Sequence, residues 1–287
     1  MQQTVPGQET LPGAVRRPGR TVRLGRATAP AFVAVTESTG AKRLVSGAVR
    51  YLNVLQGLGG GSGWNVTGET RAMTTPLRGL RAPVVVDGGA NWGDWSRAVH
   101  ATLGDEEARF FLVEPQSACQ DSIRRLPIKH ATVIQAALGA EPGEGLLSAR
   151  EAGFPAASLY ERRDGLFGDM SAHREPVRVT TLDDIVAEHR IDRIDLLKLD
   201  LEGGELAALR GAASCLERGV VRNLAFEFGE PNLYSRVFFR DFWDLLDPLG
   251  FAMARVLPGG RLRPVDAYSV ELEHFRGVSN YLATLPG

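Results

Sequence analysis

The sequence predicts an α/β fold, with a mostly parallel sheet, helices on both faces and an antiparallel hairpin at one edge. Three observations carry that expectation. Apolar runs suited to buried parallel strands recur at PVVVD, ARFFLVE, ATVIQAAL, IDLLKLD and NLAFEF, and most are followed by a helix-length segment, the alternation that crossover units produce. The first run enters a glycine-rich turn, VVVDGGANWGDWS at residues 84–96, where such a sheet receives a nucleotide-like ligand. The last stretch, from FAMARVL through SVELEHF to SNYLATL, reads as strands with no helix between them, which makes the edge hairpin.

Composition bounds what these elements can serve. The 287 residues give ample length for one α/β core, and 44% hydrophobic with 23% charged residues is the balance of a globular protein in water. A net charge of -1 supplies no cation excess to neutralise phosphates, so nucleic acid is not an expected partner. Cys119 and Cys215 are too few for a disulfide framework, and no C-x-x-C pair points to zinc; both are expected as inert core thiols. No leading apolar stretch suits a secretory signal and no run approaches the ~20 apolar residues of a membrane span, so a cytoplasmic protein without membrane contact is expected.

Three regions follow along the chain. Residues 1–40 read as a basic, flexible tail: Pro6, Pro12, Pro18 and Pro30 break it, and Arg16, Arg17, Arg20, Arg23 and Arg26 face one acid, Glu9, among its first 30 residues. Residues 41–80 read as a helical cap or lid, because Leu44, Val45, Val49, Leu52 and Leu55 recur at helical intervals before the flexible GLGGGSG. Residues 81–287 form the cofactor domain.

The first turn constrains the cofactor. A dinucleotide fingerprint needs G-x-G-x-x-G, whose middle glycine lets a pyrophosphate approach the backbone; here the alignment is Gly88-x-Ala90-x-x-Gly93, with a methyl group in the middle. Asp87 adds a carboxylate that would repel a pyrophosphate at the mouth of the turn. The turn therefore suits a cofactor with no phosphate and a cationic end, such as S-adenosylmethionine (SAM). Gly89 and Gly93 permit the tight turn, and Asn91 tolerates positive φ. Glu114 ends the second strand, where an acid accepts hydrogen bonds from ribose hydroxyls. Ala137, near the third strand's end, is small enough to face an adenine.

The least ordinary stretch is IDLLKLDLEGGELAALRGA at residues 194–212. Lys198 and Asp200 are two apart on a strand that otherwise reads as buried, so they point to one side, and burial of such charges demands partners. Glu202 and Glu205 flank a helix start, where carboxylates favour the positive end of the dipole. A structural ion pair of Lys198 with one of these carboxylates, plus a helix cap, is the competing account of Lys198, Glu202 and Glu205. Glu227 ends the next strand, so it and Asp200 aim at one crevice.

VDGGANWGDWS, FLVEP, AALGAEPGEG, VRVTTLDDI, LLKLDLEGGELAALRGA and LAFEF, in this order, resemble the FkbM family of SAM-dependent methyltransferases over roughly residues 82–228. Lys198, Asp200, Glu202, Gly203 and Glu205 match its K-x-D-x-E-G-x-E string, while Gly88 departs from the aliphatic residue usual there. The resemblance implies a class I methyltransferase, Rossmann-like fold of seven strands and O-methylation of a hydroxyl on a small molecule, often a sugar or a natural-product scaffold. The acceptor oxygen must lose its proton, and Asp200 or Glu227 is the expected base. His173, in the expected loop DMSAHREP, is an alternative base, and Mg²⁺ held by Asp200 and Glu227 is an alternative to direct base catalysis. Acceptor recognition is expected from residues 41–56, 153–176 and 231–242. A homo-oligomer is compatible with the sequence. The competing functions are an NAD(P)-dependent oxidoreductase of Rossmann type, which Asp87 and Ala90 disfavour, and a non-catalytic cofactor-binding subunit.

Overall fold

The computed structural model describes residues 39–61, 68–162 and 168–286, with Ala29 and Val33 besides; the expected basic tail is thus almost wholly outside the described residues. The chain divides into two compact units, residues 1–50 and 51–287. Helix α1 (Thr39–Leu55) begins in the first and its last residues belong to the second, and it forms where the 3.6-residue spacing of Leu44, Val45, Val49, Leu52 and Leu55 places it.

The second unit opens with α2 (Glu69–Thr74) and then alternates strand and helix: β1 (Val84–Gly88), α3 (Asp94–Leu103), β2 (Arg109–Val113), α4 (Ser117–Arg124) and β3 (His130–Ile134). Next come β4 (Ala137–Leu138), β5 (Gly143–Ala149), β6 (His173–Thr180), α5 (Leu182–His189), β7 (Leu196–Leu199), α6 (Glu205–Arg210), α7 (Ala213–Glu217) and β8 (Asn223–Gly229). The chain closes with α8 (Asn232–Ser235), α9 (Phe239–Leu246), β9 (Ala252–Leu257), β10 (Arg261–Val265) and β11 (Val278–Thr284). The main sheet has the order β10-β9-β11-β8-β7-β1-β2-β3. From β8 to β3 all neighbours are parallel, whereas β11 is antiparallel to both β8 and β9, and β10 to β9.

The parallel strands are apolar at nearly every position because both faces are covered. Val84, Val86, Leu197 and Leu199 pack into one core with Phe226, Phe242 and Tyr281. Val85 and Leu196, pointing the other way, join Trp95, Val99 and Phe110 in the second. Cys119 and Cys215 are free and buried, with burial pushing both thiols up to about 12, as expected of inert core residues.

Three elements differ from the sequence reading. The main sheet has eight strands rather than seven, because RLRPV pairs along β9 although its residues are largely exposed. A second sheet, β4-β6-β5, stands where loop was expected: ATVIQAAL divides between β3 and β4, and β6 begins within the segment expected as loop. SVELEHF is a short 3₁₀ turn at Val270–Leu272 and irregular chain, not a strand. The aromatic segment 231–242, expected to serve acceptor recognition, instead turns its rings largely into the core: Phe239 and Phe242 are fully buried, and Phe242 stacks on Phe226 with centroids 4.8 Å apart.

Candidate active site

The strand order reverses its direction of growth between β1 and β7, since β2 and β3 add on one side and β8 on the other. Ligands bind beyond the carboxyl ends of strands at such a point, and a cavity of about 460 Å³ opens there. Gly89, Asn91, Glu114 and Ala137 line it on the β1–β2 side; Asp200, Glu202, Glu227 and Glu230 line it on the β7–β8 side.

The turn after β1 is shaped by backbone that L side chains rarely adopt. Asn91 has φ 47°, and the glycines at 89 and 93 have φ 77° and 82°. Gly89 and Ala90 donate their N–H groups to the Val113 carbonyl, which welds the turn to β2. A Cβ on Gly89 would stand 2.0 Å from the Asp200 carbonyl oxygen, so this position must be glycine for the two strand ends to touch. Gly89→Ala is expected to cost at least about 2 kcal/mol in unfolding free energy, read by denaturant titration, because a left-handed φ and a backbone clash add. Gly93 caps α3 and is not among the cavity-lining residues.

Glu114 follows β2 and is buried. Its Oε2 accepts from the Asn91 backbone N–H at 2.8 Å and its Oε1 from that of Gln116 at 2.9 Å. Burial nevertheless raises its pKa, and each oxygen keeps a lone pair for a ligand donor.

Asp87 is a correction to the sequence reading. It is fully buried on β1 and does not line the cavity. Asp87 and Lys198 are directly opposite in the β1–β7 register; the ammonium is 3.0 Å from Oδ1, while Ser96 Oγ donates to Oδ2 at 2.6 Å. The carboxylate at the mouth is instead Asp200, and Asp87 serves as counter-ion to the buried lysine. Lys198 has the partner its burial demands, and the nearer one is on the neighbouring strand. Burial alone would lower the Lys198 pKa, but the charges of Asp87 and Asp200 outweigh it and hold it above the ordinary value. The same ammonium donates to the Gly89 carbonyl at 3.3 Å, approaches Asp200 Oδ2 at 3.4 Å, and lies 5.3 Å from the Trp95 ring centroid. One cation thus ties the glycine turn, β1 and β7 together.

The rest of the charged string has separate tasks. Glu205 accepts from the Leu201 and Gly203 backbone N–H groups at 2.8 and 3.3 Å, closing the turn that starts α6; burial outweighs these bonds and carries its carboxyl to about 7. Glu202 holds φ 51°, its carbonyl accepts from Ser158 Oγ at 2.8 Å, and its carboxylate pairs with Arg162 at 2.6 Å. Burial and the Asp200 charge still push Glu202 to about 8. Asp200 and Glu227 both line the cavity from adjacent strands.

One expectation is not met. His173 is the first residue of β6, paired with Ala149 on β5 rather than placed in a loop, and it does not line the cavity. Among the described residues no group of three or more His, Cys, Asp or Glu side chains is arranged to hold a metal ion.

Residues 153–162, part of the 153–176 segment expected to serve acceptor recognition, form a wall of the cavity. Trp92 Nε1 donates to the Gly153 carbonyl at 3.1 Å and Gln116 Nε2 to that of Phe154 at 3.3 Å. Pro155, Ala157, Leu159 and Arg162 then line the cavity. The strap is therefore pinned to the glycine-turn side at one end and to Glu202 at the other. No expectation from the sequence covered Glu69 of α2, which is buried and accepts from Asn280 Nδ2 at 2.7 Å; burial and the Asp200 charge lift its pKa to about 8. A polar residue opening a six-residue helix gave no sign of that burial.

Comparison with known proteins agrees with this geometry. The methyltransferase FkbM domain model matches residues 87–253, more than half of the chain. No curated protein matches. Among solved structures, a methyltransferase FkbM from Methylobacillus flagellatus KT has 17% identity and a TM-score of 0.44 over 74% of this chain and 47% of its own, so this chain spans about half that protein's length. A SAM-dependent O-methyltransferase from Thermotoga maritima has 14% identity and a TM-score of 0.38 over 76% and 63% of the two chains. The plantazolicin methyltransferase BpumL, solved with SAH, has 8% identity and a TM-score of 0.39 over 93% and 98%. Family match, strand order and the charged string from Lys198 to Glu205 together place this chain in the FkbM methyltransferase family.

Proposed function

We propose that this chain is a SAM-dependent O-methyltransferase that methylates a hydroxyl of a small molecule, a sugar or natural-product scaffold. The observation that supports this is the division of the cavity into two walls: the glycine turn, Glu114 and Ala137 on one side, Asp200 and Glu227 on the other. The first wall fits an adenosine. Glu114 has lone pairs for ribose hydroxyls, Ala137 leaves room for a flat base, and the turn offers backbone close to the cavity. When bound, SAM supplies a methyl group on a sulfonium, an excellent leaving group, so much of the catalysis is positioning.

Asp200 takes the proton from the acceptor hydroxyl. It faces the cavity with its side chain 38% exposed, and Lys198 anchors one oxygen, so the carboxylate is held in place while the other oxygen remains available.

Titration calorimetry with SAM, SAH and NAD tests the cofactor, and NAD binding without SAM or SAH binding would overturn the reading. A screen of hydroxylated metabolites for SAH release, with and without EDTA, then tests the reaction. Glu114→Ala is expected to weaken SAH binding by about 1.5–3 kcal/mol, the worth of a charge-assisted hydrogen bond; unchanged affinity would place the ribose elsewhere. No described helix is long and apolar enough to cross a membrane, in keeping with an acceptor drawn from water.

A further inference from the structure

Among the described residues, the β7–β8 wall of the cavity is rich in hydrogen-bond acceptors, and each cation that lines it is already paired. Asp200, Glu227 and Glu230 line it, and so do two cations, Lys198 and Arg162. Both cations are committed, Lys198 to Asp87 at 3.0 Å and Asp200 at 3.4 Å, Arg162 to Glu202 at 2.6 Å. Among the described residues neither Glu227 nor Glu230 has a hydrogen bond or ion pair on its carboxyl group.

A second observation comes from the strand alongside. Asn280 of β11 is directly opposite Glu227 in the β8–β11 register and is 3% exposed. Its Nδ2 donates to Glu69 Oε2 at 2.7 Å and to the Gly61 carbonyl at 3.2 Å, and its Oδ1 is buried with no donor. The strand position opposite Glu227 therefore presents an amide oxygen that lacks a donor, and no cationic side chain among the described residues pairs with it. Burial and the neighbouring Asp200 charge drive the Glu227 pKa well above its ordinary value, the response of a carboxyl taken out of water beside other carboxyls.

A neutral hydroxyl brings one hydrogen and no charge to this corner. An ammonium brings up to three N–H donors and a full positive charge. We propose that the methyl acceptor is a hydroxyl compound bearing a primary or secondary ammonium group, which Glu227 and Glu230 receive while the hydroxyl faces Asp200. The inference rests on the methyl-transfer reading and adds to it the chemical class of the acceptor.

The test uses the full chain saturated with SAH and matched probes: 2-amino-2-deoxyglucose against glucose, and trans-2-aminocyclohexanol against trans-1,2-cyclohexanediol, followed by ligand-observed NMR. The amine of each pair is expected to bind at least about tenfold more tightly, the worth of one charge-assisted hydrogen bond. The double variant Glu227→Gln, Glu230→Gln should erase that preference while SAH affinity, which also reports folding, stays within about twofold. Amines that bind no better than their diol or sugar partners, including the case where neither binds, would overturn the inference. So would a preference that survives in the double variant, or saturable Mg²⁺ binding that the double variant abolishes. Failure of SAH itself to bind would remove the methyl-transfer reading as well, and is seen before any amine is added.

Discussion

Lys198→Met is expected to lower the unfolding free energy by about 3–5 kcal/mol, measured by urea titration with an unchanged slope. The variant leaves Asp87 fully buried beside an apolar chain, and an uncompensated buried charge costs that much. The register predicts the rescue. Asp87 and Lys198 face each other across β1 and β7, so Asp87→Asn placed in the Lys198→Met background removes the stranded charge and should recover more than half of the loss, while the amide can still pair with Ser96. Two single variants whose effects merely add would show that the ion pair is not what the sheet centre depends on. Because the same ammonium donates to the Gly89 carbonyl, SAH affinity should fall with stability in Lys198→Met and return only in part in the double variant.

Asp200→Asn is expected to reduce turnover by 10² to 10⁴, the range that a positioned general base contributes, once an acceptor has been found. Affinity for SAH should stay within about threefold, since SAH lacks the sulfonium charge and the adenosine contacts belong to the opposite wall. The amide fills the same volume and can still accept from Lys198, so the backbone turn through Leu201 and Glu205 is undisturbed. Full activity in Asp200→Asn would remove Asp200 as the base and transfer that role to another cavity carboxyl.

The parts of the fold that could be read in the sequence are those whose burial is nearly complete. PVVVD, ARFFLVE, IDLLKLD and NLAFEF are apolar at almost every position because helices cover both faces of the strands they form. The second sheet could not be read this way. β5 carries two glycines and β6 carries Pro176 with two arginines and a glutamate, so neither shows a clean period of two. The same reason hid β10. Within the site, Asp200, Glu114 and Glu227 were visible as charges at the ends of apolar runs. Asp87 was visible too, but a one-dimensional pattern does not say which side chain stands opposite on the next strand. Arg162 had no local signal at all: it follows a Gly/Pro/Ala-rich stretch, and its partners Glu202 and Tyr234 are brought to it by tertiary structure. Glu202 in turn adopts a left-handed backbone that no propensity favours.

The outermost strand, β10, bears on how this protein behaves when crowded. A sheet border with unsatisfied peptide groups is a template on which another chain can grow, and border strands that are flat and apolar nucleate fibres. Here the border reads RLRPV. Pro264 interrupts the row of N–H groups that an incoming strand would need, and Arg261 and Arg263 would set their positive charges against the same arginines of an identical strand arriving antiparallel. The irregular contour that concealed this strand from pattern reading therefore doubles as a guard against runaway sheet growth.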